Sequence, residues 1–474
     1  MILITIQILK IGVACNINSN GQNKGIEKSI ISLIKKRITL MIKNKTFKTV
    51  VKNGRRFNLM TLPDTNFFKF EVINKYGSNV ERVIKSKTAK NLYGISHLIE
   101  HLGFKSSKDF TTEELLTISK NEGECNASTS YDRINYWYRT TADNIDLAIN
   151  FICNIAFNDL TKIDQKEFDT EKSVVYNEAK RAADDHQMMF YRNATRCLVG
   201  YEDEDNTIGI PETIEKFTLE DAIAVKNIFL TNNQTSYNII YDNTIISENA
   251  LLEKVINELD RFETPKKASL IITHEEYLSH LNKPRIGKFK LESRSEQAMT
   301  NITLDAVENT LVSGATLYYL SDLAENTSLD DLIRQKNGLT YGVQFYMNMI
   351  AYKPFASFVC DVSVGKEEEL LKLFKESINL SVDAFSEEKY NNYMKTAKLK
   401  RTIGNLNLEA HGIWFYYDYL NALDLDDVRD LLANNMEDAY NYVESEIITY
   451  SKMKESMETI RTLVNNDVFG KVYT

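Results

Sequence analysis

Cysteine is scarce in this chain. The five present, Cys15, Cys125, Cys153, Cys197 and Cys360, are odd in number, widely spaced and free of any CxxC pair. Such usage supports neither a disulfide framework nor a cysteine zinc site, and it points to a reducing compartment. Basic residues are in deficit, with 57 Lys and Arg against 66 Asp and Glu and a net charge of −9. That balance argues against nucleic acid as a partner, because phosphate binding needs a basic surface. Long apolar runs are also missing. Met1 to Leu9 is apolar but lacks a basic start, meets Lys10 quickly and is too short to span a bilayer. A cytoplasmic protein with no membrane span is expected. An organelle matrix is the alternative if residues 1–45, basic from Lys35 to Lys45, are a transit peptide; an extra strand or a start codon placed too early fit that extension equally well. Only five prolines occur, and Pro265 and Pro284 both fall in a weakly periodic stretch that reads as a linker, residues 261–287.

Histidine is rare too, with six in the chain, yet two of them stand four apart in His97-Leu98-Ile99-Glu100-His101. On a helix, positions i and i+4 share a face, so both rings can reach one metal ion. Two imidazoles plus one further protein ligand would leave zinc a fourth position for water, with Glu100 beside it as general base. Spacing alone does not separate this from a buried structural pair. A third ligand should be a carboxylate or histidine on another element. Glu178 is a candidate, in Asp169 to Lys180, a stretch of good helix formers with Phe168, Val175 and Ala179 on one apolar face.

With these residues the chain resembles the pitrilysin and insulinase metallopeptidases, a family that includes the mitochondrial processing peptidase and carries the inverted HxxEH zinc motif. In size and layout the resemblance is closest to processing peptidase-like and small bacterial members. It implies one Zn2+ per chain held by His97, His101 and Glu178, with Glu171 acting beside the ligands; the bland reading of Glu171 is an exposed helix glutamate. Phe47 to Val51, Asn53-Gly54 and Phe57 to Met60 read as a hairpin, followed by the alternating run Phe68 to Val72. They are similar to the family's opening strands, and Gly94 and Phe104-Lys105 also match. Asn126, Ala127, Ser128 and Thr129 resemble the edge strand along which relatives lay an extended substrate. Arg334 to Tyr341 resembles the signature in which an arginine and a tyrosine, here Arg334 and Tyr341, reach the substrate.

The implied fold class is α+β, with two homologous α/β domains, each a mainly antiparallel sheet with helices packed on one face, as in LuxS and the processing peptidases. Residues 46–260 would form the catalytic domain and 288–474 a second copy without metal ligands. A gapless alignment of Gly94 with Gly314 sets Leu317, Leu320 and Ser321 opposite His97, Glu100 and His101. The implied function is a zinc-dependent endopeptidase cleaving peptides or unfolded segments, bound as an added strand in an enclosed chamber, by zinc-activated water with Glu100 as general base. The alternative is a non-catalytic scaffold or partner subunit on the same fold. A homodimer or a related partner subunit is compatible with either. Elsewhere the bland readings prevail. Glu202 to Asp205 is a solvated loop and Cys125 a small packing residue. His186, His274, His280 and His411 are surface or satisfied-core residues, Tyr136-Trp137-Tyr138 is a packed strand, and Trp414 to Tyr417 is a buried helix face.

Overall fold

A computed structural model describes residues 46–185, 189–190, 207–231, 235–262, 287–290, 297–305, 311–326, 329–350, 353–405 and 441–473, with the single residues 270, 272 and 438. Residues 1–45, the acidic run, Trp414 to Tyr417 and the four isolated histidines lie outside them.

The first unit opens with β1 (Phe47–Lys52) and β2 (Arg55–Thr61), joined at Asn53 and Gly54. Both turn residues have positive φ, 53° and 74°, which Asn and Gly tolerate and which suits a two-residue hairpin. Then come β3 (Phe67–Asn74), α1 (Asn79–Thr88), α2 (Ile95–Leu102) and α3 (Thr112–Asn121). β4 (Glu124–Thr129), β5 (Ile134–Thr141), α4 (Ile145–Ala156) and α5 (Gln165–Asp184) follow. α6 (Leu219–Thr231), β6 (Thr235–Tyr241) and α7 (Glu248–Phe262) close the unit. Its six strands are ordered β1-β2-β6-β3-β5-β4, antiparallel except for β2 beside β6. Phe68, Phe70 and Val72 on β3 and Tyr136 and Tyr138 on β5 join a core with Leu98, Ile99, Phe151, Ile152, Phe168 and Val175 of the helices.

The second unit comprises β7 (Gly287–Lys290), β8 (Gln297–Asp305), α8 (Leu311–Asn326), β9 (Val343–Ile350), β10 (Lys353–Ser363), α9 (Glu367–Asp383), α10 (Glu387–Asn405), α11 (Tyr450–Asn465) and β11 (Gly470–Tyr473). Its sheet runs β7-β11-β8-β10-β9, with β7 and β11 parallel. In both sheets the last strand of the unit inserts between two earlier ones, parallel to the first and antiparallel to the second. Removing β1 makes the two orders the same, which is the architecture of a duplicated α+β unit.

The gapless alignment does not carry over to the backbone. Gly94 immediately precedes α2 with φ 97°, and a Cβ there would meet Gly209 Cα at 2.5 Å. Gly314, by contrast, lies inside α8, which starts at Leu311. A glycine is needed only at the first of these places.

Candidate metal centre

α2 is short, and its start is made outside itself. Glu81 on α1 is fully buried and its carboxylate accepts from the backbone N–H of Gly94 and Ser96, at 2.8 and 2.7 Å. An anion there satisfies donors that the helix leaves open and suits the positive end of its dipole. Ile95, Leu98, Ile99 and Leu102 then bury one face, which turns His97 and His101 to the other, each half-buried.

α5 brings Glu178 to them. Its capping box runs from Asp164 to Glu167, and Phe168, Glu171, Val175, Ala179 and Ala182 are the buried positions. Glu178 Oε2 lies 3.6 Å from His101 Nε2 and 4.0 Å from His97 Nε2, and the two rings meet edge to face with centroids 4.7 Å apart. Among the described residues this trio alone offers three metal-ligating atoms within 4.8 Å of one another. Tetrahedral zinc with bonds of about 2.0–2.2 Å has ligand-to-ligand edges of about 3.4 Å, close to the spacing here. Burial, reinforced by the His101 ring, pushes His97 down to about 4, so its lone pair is available at neutral pH. Its Nδ1 is buried without a hydrogen-bond partner. Two imidazoles and a carboxylate converging in this way are a donor set that fits zinc.

The neighbours of the trio are also specific. Glu171, seven positions before Glu178, is only 7% exposed, and its Oε1 lies 2.8 Å from His101 Nδ1. Its Oε2 takes the Lys105 ammonium at 2.5 Å. Burial works against the Glu171 carboxylate, but His101 and Lys105 outweigh it and hold its pKa below the ordinary value. His101 is raised: burial lowers it, and the hydrogen bond and charge of Glu171 more than compensate. Glu100 is 8% exposed and raised, chiefly by burial, against a hydrogen bond from Thr129.

Asn126 to Thr129 divide between two faces of β4. Cys125, Ala127 and Thr129 are half-buried, and the Thr129 hydroxyl donates to Glu100 Oε2. Asn126 and Ser128 are exposed on the opposite face; Asn126 Oδ1 accepts from the Ala127 amide, and Ser128 bonds Asn135. β4 pairs only with β5, so its other edge carries no strand among the described residues. Arg334 and Tyr341 are brought to each other. The guanidinium lies 5.6 Å from the tyrosine ring centroid and 3.6 Å from Asp330, and Tyr341 is 94% exposed. Gly338, with φ 60°, turns the chain between them.

The family model described as insulinase (peptidase family M16) matches residues 86–206, which contain all three potential ligands. Over those residues the chain is similar to this family. It is 30% identical over 175 residues to a protein of Helicobacter pylori named zinc protease PqqE, covering 36% of this chain and 37% of that protein. The chain thus spans little more than a third of that relative's length. It is 22% identical over 348 residues to an uncharacterized zinc protease of Rickettsia felis, covering 71% of this chain and 78% of that one. A crystal structure described as a peptidase M16 inactive domain from Pseudomonas fluorescens superimposes with a TM-score of 0.69 over 90% of this chain and 97% of that chain, at 13% identity. This last likeness concerns the fold alone. In this chain one short helix carries His97, Glu100 and His101, while Glu178 and the edge strand come from separate elements.

Glu81, Lys105 and Asn158 also hold the surroundings of the site in place. Asn158, 3% exposed, directs its amide at the carbonyls of Lys105 and Ser106, both at 3.3 Å, and so pins the turn after α2. Nothing local marks Glu81 or Asn158. The alternation along β4 could have separated Thr129 from Asn126 and Ser128.

Proposed function

We propose that the chain is a zinc-dependent endopeptidase acting on peptides or unfolded segments laid along β4. The observation that carries this reading is the convergence of His97, His101 and Glu178 beside Glu100, on a helix flanked by an open sheet edge. When bound there, zinc supplies Lewis acidity, which brings the pKa of water to about 7 and polarises a carbonyl. The chain's own residues do the rest. Glu100, raised toward working pH by burial, accepts the proton of the attacking water and passes it to the leaving amine. Thr129 holds the Glu100 carboxylate from the strand that receives the substrate. The free backbone edge of β4 fixes the peptide in extended form, which excludes folded segments. Arg334 and Tyr341, exposed and stacked on each other, meet the substrate backbone when the second unit or a partner subunit encloses it; a guanidinium suits a carbonyl or carboxylate, and a phenol suits a developing oxyanion. Among the described residues no helix is long and apolar enough to cross a membrane.

The test compares the wild type with Glu100→Gln for zinc content and for cleavage of a mixed peptide library. Wild type should bind one zinc and cleave, and the variant should bind zinc and fail to cleave. A wild type without zinc, or a variant as active as wild type, defeats the reading. Zinc in both with cleavage by neither favours a scaffold or partner subunit.

A further inference from the structure

The zinc ligands and the base leave one charged side chain near the site without a function. Lys105 lies in the turn after α2, and its ammonium, 20% exposed, reaches the buried oxygen of Glu171 that His101 does not use. A carboxylate can only accept, so the contact between Glu171 Oε1 and His101 Nδ1 requires that ring nitrogen to carry the proton. In the neutral ring Nε2, the atom that faces Glu178, is then the one with a lone pair. We propose that Lys105 is a positioning residue of the metal site, pinning the second oxygen of Glu171 so that the carboxylate keeps the His101 ring turned with Nε2 toward Glu178. This rests on the zinc reading given above.

The backbone supports such a role. Lys105 is placed by its own N–H donating to Leu102 O at 3.1 Å and by the Asn158 amide donating to its carbonyl at 3.3 Å. The turn approaches α4 so closely that a Cβ on Gly103 would sit 3.1 Å from Ile155 O and 3.0 Å from Glu100 O. The backbone of Lys105 is therefore fixed relative to the end of the helix that carries His101. Its charge also compensates an anion with little access to water. A carboxylate held at one oxygen only is free to rotate about its own axis, and the ring it orients loses its reference. Removing a group that hydrogen-bonds a ligating histidine changes metal affinity by about 10- to 100-fold, and Lys105 acts one contact further out, through Glu171.

The experiment measures zinc affinity, by competition with a chromogenic chelator, for wild type, Lys105→Met, Lys105→Arg, Glu171→Gln and the Lys105→Met/Glu171→Gln double variant, with apo melting temperatures to check folding. Glu171→Gln should bind zinc about 10- to 100-fold more weakly, Lys105→Met about 3- to 10-fold more weakly and Lys105→Arg within about twofold of wild type. In the Glu171→Gln background the Lys105 change should add less than about twofold, because its effect passes through Glu171. Should Lys105→Met not fold, Lys105→Gln carries the same comparison. Binding by Lys105→Met within about twofold of wild type overturns the proposal and leaves the zinc reading standing, as do losses that multiply in the double variant. A wild type that binds no zinc removes both.

Discussion

Replacing Thr129 by Val tests whether the proposed substrate strand also tunes Glu100 as the proposed base. Valine keeps the shape and removes only the hydroxyl that donates to Glu100 Oε2. A hydrogen bond to a charged group is worth about 1.5–3 kcal/mol. Glu100 is 8% exposed, so little water is at hand to replace the lost donor. Taking about 2 kcal/mol and a factor of ten per 1.4 kcal/mol gives a loss in kcat/KM of roughly 30-fold, with about 10- to 100-fold as the range. The pH profile should move with it. Burial raises the Glu100 pKa and the Thr129 donor opposes that rise by favouring the ionised form. Without the donor the acidic limb of the profile should shift to higher pH. Zinc affinity should stay at the wild-type level, since Thr129 touches none of the three ligands, and Thr129→Ser should recover most of the rate. Asn126→Ala, on the opposite face of the same strand, should leave the profile in place. The assay is steady-state cleavage of one library-derived peptide from pH 5 to 9, with zinc measured on the same samples. A Thr129→Val enzyme within about twofold of wild type, or one that has lost its zinc, refutes the assignment.

Three further outcomes are expected. Lys226 is fully buried, and desolvation lowers its pKa to about 7 from 10.5; below pH 7 its charge destabilises the fold, and the penalty fades as pH rises to 10.5. Wild type should therefore gain about 2 kcal/mol of stability between pH 7.5 and 9.5 that Lys226→Met does not gain, as urea midpoints at the two pH values will tell. Gly103→Ala should cost about 1–3 kcal/mol, because the added carbon would stand 3.0–3.1 Å from two backbone oxygens and the Tyr136 ring; an unchanged urea midpoint contradicts that packing. Tyr341→Phe should change stability by less than about 0.5 kcal/mol and leave zinc affinity unaltered while kcat/KM falls, and an unaffected kcat/KM removes Tyr341 from the active site.

How legible these features were in the sequence depended on how far apart their parts lie. The turn at Asn53-Gly54 and the capping box from Thr111 to Glu114 are complete within four residues, and both are present in the structure. The helix carrying Glu178 was readable because Phe168, Val175 and Ala179 repeat at its period, and all three are buried. Glu81, which starts α2, has no such pattern: its partners are the amides of Gly94 and Ser96, and only the packing of α1 against α2 makes it a cap. Lys105 and Glu171 pair across two separate elements, so their contact needs the fold before it can be seen.

The two units show what the proposed metal site asks of a helix that otherwise only packs. In the first, α2 is eight residues long, starts on a glycine with φ 97° and is capped by a buried carboxylate from another helix. All of that fixes where the helix begins and hence which way His97 and His101 face. In the second, α8 runs sixteen residues, and Leu317 and Leu320 are 0% and 2% exposed within its core. A leucine there is held by apolar burial alone and tolerates a longer helix begun elsewhere. A ligand is held by direction as well as by burial. The short, externally capped helix, the close turn at Gly103 and the Lys105–Glu171 pair are therefore parts of one device for aiming two imidazoles.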